Sequence, residues 1–302
     1  MSIRFDGRVA IVTGAGGGLG RLHALALAAR GAAVVVNDFG GAIDGSGGAP
    51  VAANAVVEQI RAAGGKAIAS AASVTDFAAV QAMVDAAMRE WGRVDILVNN
   101  AGILRDKSFA KMDLADFRVV MDVHLMGAVH CTKAVWEIMR AQNYGRIVMT
   151  TSSSGLFGNF GQANYGAAKM ALVGLMQTLS LEGAKHDIRV NCLAPTAATR
   201  MTEHLLLAAV LKLLEPEAVT SGLIALVAED APTRVILCTG AGSFERAFVT
   251  LTAGIHLGLA EDTAERVVAE WEAISDRNGE TVPDSGAAQS TLEIGKAMRA
   301  VA

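Results

Sequence analysis

No apolar run in this chain of 302 residues reaches the length of roughly 18 that a membrane-crossing helix requires, and the opening MSIRFDGR lacks the apolar centre of a secretion signal. A cytoplasmic protein without a membrane partner is the expectation. Cysteine is scarce: Cys131, Cys192 and Cys238 make an odd count, show no CxxC spacing and sit in apolar segments. That argues against a disulfide framework or a zinc knuckle and points to buried free thiols. The six histidines are scattered, with no HExxH among them, so no metal site is indicated. Positive charge is not in excess either. With 26 Lys and Arg against 30 Asp and Glu, the net charge of −4 argues against nucleic acid and anionic membranes as general partners. Any anionic small molecule must then be met by local basic residues. Hydrophobic residues, in contrast, make up 52% of the chain, ample for one large core, and there is no internal repeat.

The stretch richest in chemistry is Ile147–Lys169, IVMTTSSSGLFGNFGQANYGAAK. Its first half is apolar and β-branched up to Thr151, as in a buried strand that delivers Ser152 to a sheet edge. The Ala-, Leu- and Met-rich run Ala163–Leu181 reads as a helix, on which Tyr165 and Lys169, four apart, share a face. A phenol with a reference pKa of about 10 is too weak a base at neutral pH, but a neighbouring ammonium favours the phenolate. Tyr165 is then a usable acid/base, and Ser152 can donate a hydrogen bond to the same substrate oxygen. This trio suits the interconversion of an alcohol and a carbonyl. YxxxK alone is common and usually marks an ordinary surface pair; the spacing of the serine and two upstream motifs carry the reading here.

Upstream, RVAIVT reads as a buried strand, Leu19–Arg30 as a helix, and TGAGGGLG as the turn between them. Gly14, Gly18 and Gly20 have the GxxxGxG spacing that brings backbone close to a pyrophosphate, while the helix starting at Leu19 offers free N–H groups. The second strand, AVVVN, ends at Asp38, 24 residues after Gly14. Dinucleotide folds place an acid there on the adenosine ribose, and a carboxylate repels a 2′-phosphate, so NAD is favoured over NADP. The bland alternative is a turn aspartate at a strand end. Phe39–Pro50 is a long Gly-rich connection beside this site, and Ser73 and Val74 close the next strand, a position suited to bordering an adenine ring. Asn99–Asn100–Ala101–Gly102 follows a fourth strand, where its place along the chain distinguishes it from a plain Asn/Gly turn. The strict alternation of strands and helices predicts an α/β, doubly wound, Rossmann-type parallel sheet of about seven strands with helices on both faces. One such domain is expected over residues 1–260, followed by a C-terminal helical tail over 261–302.

TGAGGGLG, NNAG and the Ser152–Tyr165–Lys169 set, in this order, resemble the short-chain dehydrogenase/reductases. The resemblance narrows with VVVNDFGG and its long insertion, NNAGILRDKSF, VHLMG and the Ile147–Lys169 stretch, which resemble the (3R)-hydroxyacyl-CoA dehydrogenase unit of peroxisomal multifunctional enzymes of type 2. It covers nearly the whole chain and weakens after about Ala260. It implies an NAD-dependent dehydrogenase, in which Asn99 and Asn100 knit strand ends and border the cofactor ribose, and Ser152, Tyr165 and Lys169 are catalytic. It also implies a homodimer or homotetramer packed through the helical stretch Leu114–Arg140. His124 stands where the wider family has an asparagine that holds a proton-relay water; relay member and core filler are both open for it. Thr199–Thr202 falls where the family contacts the nicotinamide carboxamide and opens a substrate lid. An acyl-CoA substrate carries phosphates, for which Arg105, Lys107, Lys111 and Arg200 are the candidate contacts. Competing readings are a steroid or other secondary-alcohol dehydrogenase, a 3-oxoacyl-carrier-protein reductase, and a protein that binds NAD without catalysis.

Overall fold

The computed structural model describes residues 2–42, 44–45, 51–197 and 213–301. Arg200 and the Thr199–Thr202 segment lie outside the described residues. Two compact units emerge, Met1–Arg246 and Ala247–Ala302, which draws the boundary ahead of Ala260.

The first unit is built on β1 (Val9–Thr13), β2 (Ala33–Asn37), β4 (Ile96–Asn99) and β5 (Gly145–Thr150), in which every residue is buried. Continuous Val, Ile and Leu runs of this kind are what a parallel sheet covered on both faces demands. With β3 (Lys66–Ser70), β6 (Ile188–Thr196), β7 (Ile236–Gly240) and β8 (Ser243–Ala247), the order is β3-β2-β1-β4-β5-β6-β7-β8. Each recorded pairing up to β7 is parallel. The sheet therefore has eight strands rather than about seven. The added strand is joined to β7 by Ala241 and Gly242, with φ of 51° and 76°, a turn that fits an antiparallel hairpin. Its sequence, SFERA, has no buried position and thus no apolar alternation to reveal it.

Helices α1 (Gly18–Ala29), α2 (Val51–Ala62) and α8 (Pro216–Leu226) share the core with one face of the sheet. On the other side lie α3 (Phe77–Trp91), α4 (Leu114–Met121), α5 (Gly127–Gln142) and α7 (Ala163–Gly183), with the short α6 (Ser153–Phe157) at the end of β5. The expected single helix over Leu114–Arg140 is interrupted by one π-helical turn, Asp122–Met126. Such turns widen a helix locally and recur at functional sites. The strands advance outward from β1 in one direction and from β4 in the other, so the crevice above the carboxyl ends of β1 and β4 is the topological switch point. In the second unit α9 (Thr263–Ala269), α10 (Trp271–Ser275) and α11 (Ala287–Ala300) accompany a single antiparallel bridge between Leu251 and Thr281. Among the described residues no helix is long and apolar enough to cross a membrane.

The opposite, amino-terminal edge of the sheet is closed by charge. Arg146 is fully buried, and its guanidinium donates to the carbonyls of Ala228, Gly145, Asp187 and Glu229 and to the Asp187 carboxylate. The Tyr144 ring lies 4.1 Å from its centre and 3.6 Å from that of Arg8. Arg146→Leu would remove five donated hydrogen bonds, although the Asp187 carboxylate would keep Arg189, and the Ala228 and Asp187 carbonyls would keep the amides of Ala231 and Gly145. We expect it to lower unfolding free energy by about 1.5–3 kcal/mol, the scale for hydrogen bonds made by a charged group. Arg146→Lys should recover little of this, because an ammonium cannot reproduce the planar fork. Urea unfolding of both variants measures it.

Candidate active site

The crevice begins with close backbone contact. Gly14 takes φ +63°, and a Cβ there would stand 2.8 Å from the Ala101 Cα; one at Gly20 would collide with the Gly14 carbonyl. Nothing lies within 4 Å of the corresponding position at Gly18, φ +51°. The first two glycines thus let β1, α1 and the strand end after β4 close up, while the third leaves open space before the helix. At that helix start, beside Leu19, the cap residue Gly17 makes no side-chain cap bond and the first turn has no acid. Its N–H groups remain available to an anion. Asp38 accepts from the amides of Gly16 and Gly40, both at 2.7 Å, which fixes its carboxylate over the glycine turn. These features fit a dinucleotide: an uncapped helix end for its phosphates and an acid for an adenosine ribose.

Asn100 binds the two central strands together. Its side-chain amide donates to the carbonyls of Thr13 and Gly14 at 3.0 and 3.2 Å. Thr13 Oγ1 in turn accepts from the amides of Asn100 and Ala101, both at 3.0 Å. Asn99 instead reaches Thr132 on α5. Sequence reasoning passed over Thr13, since nothing in RVAIVT separates it from an ordinary strand-end threonine.

Past β5, Ser152 caps α6 by accepting from the Ser154 amide at 3.1 Å, which leaves its hydroxyl proton free to be donated elsewhere. Tyr165, half-buried, sits on the first turn of α7 and Lys169 one turn on, as their spacing predicts. Lys169 is buried, and its Nζ donates to the Thr150 carbonyl at 2.6 Å, 5.4 Å from the Tyr165 ring centroid. Burial lowers the amine to about 7. The phenol departs from expectation: burial raises it above its ordinary value, the Ser152 hydroxyl pulls it down, and the Asp106 carboxylate adds to the rise. In the protein by itself, therefore, Lys169 does not draw the phenol down, because the amine is turned to Thr150 and desolvation dominates.

The π turn places His124 beneath this pair. Its ring meets Tyr165 edge-on at 5.2 Å and 86°. A side chain at Gly102 would collide with it. Nε2 faces both the Ile103 carbonyl at 2.8 Å and the Ile103 amide at 3.1 Å, one asking for a donor and the other for an acceptor, while Nδ1 is buried without a partner. Burial, with Lys169 adding to it, holds His124 well below the usual imidazole range, so the ring is neutral. A cavity of about 10 Å³ is lined by His124, Asn99, Lys169 and Thr13 among others, and Asn99 Oδ1 is also unpartnered. One water-sized molecule matches that volume.

The loops before α4 and before α7 are stitched together. Gln162 donates to Asp106 at 2.6 Å, the Lys107 amide to the Gly161 carbonyl, and the buried Asn164 to the Arg105 carbonyl. Arg105 and Lys107 both pair with Asp116, at 2.7 and 3.1 Å, and hold its carboxyl below the usual carboxylate range. Of the four cations expected to meet phosphate, these two are thus already shared with an acid from α4, a contact no local spacing announces. Lys111 ends an exposed 3₁₀ turn, Phe109–Lys111. Ser73 turns its hydroxyl to Thr75 at 2.8 Å, and Val74 is buried against α5. Cys131 and Cys192 are buried free thiols, and Cys238 is free and partly buried.

Comparison with known proteins adds to this geometry. A family model described as short chain dehydrogenase matches residues 8–207. Peroxisomal multifunctional enzyme type 2 of Drosophila melanogaster is 56% identical over 204 residues, covering 68% of this chain and 34% of that protein. The structure of its full-length form superposes with a TM-score of 0.80 at 36% identity, covering 99% of this chain and 51% of that one. A putative short-chain type dehydrogenase/reductase of Mycobacterium tuberculosis is 47% identical over 273 residues, 90% of this chain and 95% of its own. A 7α-hydroxysteroid dehydrogenase, solved with NADH and 7-oxoglycochenodeoxycholic acid, gives a TM-score of 0.72 at 31% identity over 80% of this chain and 95% of that one. The chain spans only about a third of the multifunctional relative's length.

The buried amine has a measurable signature. Its folded value of about 7 lies below the ordinary 10.5, so between these values the unfolded chain binds a proton that the folded chain refuses. Stability must then rise with pH across that window. Relative to Lys169→Met, the parent without cofactor should gain about 2–3 kcal/mol between pH 7 and pH 9, from two pH steps of about 1.4 kcal/mol each. Urea unfolding at the two pH values checks it; parallel behaviour of parent and variant would contradict the burial of a titrating amine.

Proposed function

The chain belongs to the short-chain dehydrogenase family and is an oxidoreductase, and on that premise we propose that it oxidises a (3R)-3-hydroxyacyl-CoA to the 3-oxoacyl-CoA with NAD. The observation that carries the chemistry is the convergence of Ser152, Tyr165 and Lys169 at the carboxyl end of β5, beside the dinucleotide crevice. Bound NAD supplies the hydride acceptor. The chain supplies the proton handling: Ser152, its oxygen already engaged by the Ser154 amide, offers a hydrogen bond to the substrate oxygen, and the Tyr165 oxygen takes the proton that the alcohol loses as its own phenol proton is passed on toward Lys169. Lys169, poised near neutrality, passes protons onward at physiological pH.

We assign His124 to the relay rather than to core filling. A filler imidazole would have both nitrogens satisfied or wrapped in apolar groups, whereas Nδ1 is buried without a partner and the ring lines a water-sized cavity shared with Lys169. Asp38 supports NAD over NADP, since its carboxylate is held in place by two amides and cannot turn away from a 2′-phosphate without losing them. The thioester substrate rests on likeness to the multifunctional enzyme, over a part of that protein only. Arg105 and Lys107, set against the carboxylates of Asp106 and Asp116, place cations near the crevice for its phosphates. A homo-oligomer is part of the same reading: α7 leaves Met170 and Leu181 exposed.

Steady-state kinetics test each part. NAD should exceed NADP in kcat/KM by at least about tenfold, as a repulsion near 1.4 kcal/mol suffices for that factor. Tyr165→Phe should lower kcat by about 10²–10⁴ while NADH still binds. His124→Asn should stay active and His124→Leu, equally folded, should not. With both enantiomers and a panel of steroid alcohols, turnover should appear with (3R)- and not (3S)-3-hydroxyacyl-CoA. A preference for a free steroid alcohol over every CoA ester would overturn the substrate and leave the dehydrogenase standing.

A further inference from the structure

The short connection between β3 and α3 holds Ser73 and Val74, and its shape is set by a residue outside the active-site motifs. His130, on α5, brings Nδ1 to 2.9 Å from the Val74 carbonyl. A carbonyl only accepts, so Nδ1 carries a proton and donates. Three residues earlier on the same helical face, Gly127 forms a notch: a Cβ there would lie 2.6 Å from Val74 Cγ2 and 3.0 Å from Val74 Cβ. The valine side chain is stiff at χ1 and has no room to step aside. Phe77, the first residue of α3, packs its ring 5.7 Å from the imidazole on the far side of the connection. Asp76 then caps α3 through the amides of Ala78 and Ala79. Thus α5 holds the connection by a notch for one side chain and a hydrogen bond to one carbonyl, immediately after the π turn that seats His124 under Tyr165.

We propose that Gly127 and His130 are positioning residues that hold Val74 as the wall against which the adenine of NAD seats, so that His130 sets cofactor affinity without touching the cofactor. This rests on the proposed use of NAD in the crevice between β1 and β4. The donor is needed for its position and not for its titration: a neutral imidazole protonated at Nδ1 and a doubly protonated ring offer the same N–H to Val74.

Fluorescence titration of the full chain with NADH, and displacement by ADP-ribose, test the proposal. Loss of one hydrogen bond in His130→Ala should weaken NADH binding about two- to tenfold, with an equal factor for ADP-ribose, which retains the adenine and lacks the nicotinamide. His130→Asn, whose amide offers an N–H at nearly the same place, should recover most of the loss. Amide hydrogen exchange of the cofactor-free protein should speed up over residues 71–76 in the alanine variant and not in the asparagine one. As an independent arm, Gly127→Ala should weaken NADH binding in the parent but add nothing once Val74→Ala has made room. Unchanged affinity in His130→Ala, loss for NADH but not ADP-ribose, or loss that asparagine fails to restore would each overturn the assignment. A parent protein that binds no NADH would instead remove the cofactor reading, and the exchange rates would still report on whether His130 holds the connection.

Discussion

An amine withdrawn from bulk solvent, that of Lys169, sets the terms for its surroundings. A buried ammonium is costly unless something answers it, and here the fixed answer is the Thr150 carbonyl, at the last residue of β5. Thr151 returns the tie by donating to the Lys169 carbonyl at 2.7 Å, so strand end and helix are locked together on both sides of the amine. Gly155 lets α6 pass directly over the Lys169 backbone, where a Cβ would sit 2.8 Å from the lysine Cβ. Ser152 caps that same short helix, so the hydroxyl is aimed by the packing that buries the amine. His124 stays neutral through its own burial and through the same neighbour. Tyr165 is held beside them as a phenol that gives up its proton reluctantly. The site is thus a set of proton carriers whose affinities for protons are set by desolvation more than by mutual attraction.

Much of this was legible because the chain writes its sheet plainly. Strands covered on both faces must be apolar throughout, and VAIVT, AVVVN and IVMT announce themselves by that requirement; glycines placed where two backbones meet fix the first turn. Spacing alone placed Tyr165 and Lys169 on one helical face. What escaped the sequence depends on partners far along the chain. The sense of the Tyr165 shift follows from how deeply α7 sinks, a property of packing and not of the four-residue interval. Asp116 neutralises part of the basic patch from another helix. The π turn at Asp122–Met126 has no compositional mark, and β8, without a buried position, has no alternation to read. Helix α8 starts with Pro216 and is apolar beyond a single stripe, as befits a helix packed between α1 and the sheet, so no one-sided pattern drew attention to it.

Chemistry and cohesion occupy opposite ends of the strands. At the carboxyl ends, glycines, an uncapped helix and the unpartnered His124 Nδ1 and Asn99 Oδ1 leave bonding capacity open. At the amino ends capacity is spent: Asp95 is fully enclosed and engages Arg8, Arg93 and the Val9 amide, while Arg146 has every donor occupied. Loops at the first end can vary without disturbing the second.

Arg146 also imposes an order of assembly. Its acceptors come from Gly145, Asp187, Ala228 and Glu229, so its burial is not satisfied until chain well beyond α7 is present. During synthesis from the amino terminus, β1 to β5 can exist while that guanidinium still faces water, and the half-sheet they make has no means of closing its lower edge. Commitment to the native state must therefore come late, when the segment before β7 leaves the ribosome. Truncations ending before Glu229 would yield chains that hold an intact dinucleotide motif and are nonetheless prey to proteases and chaperones.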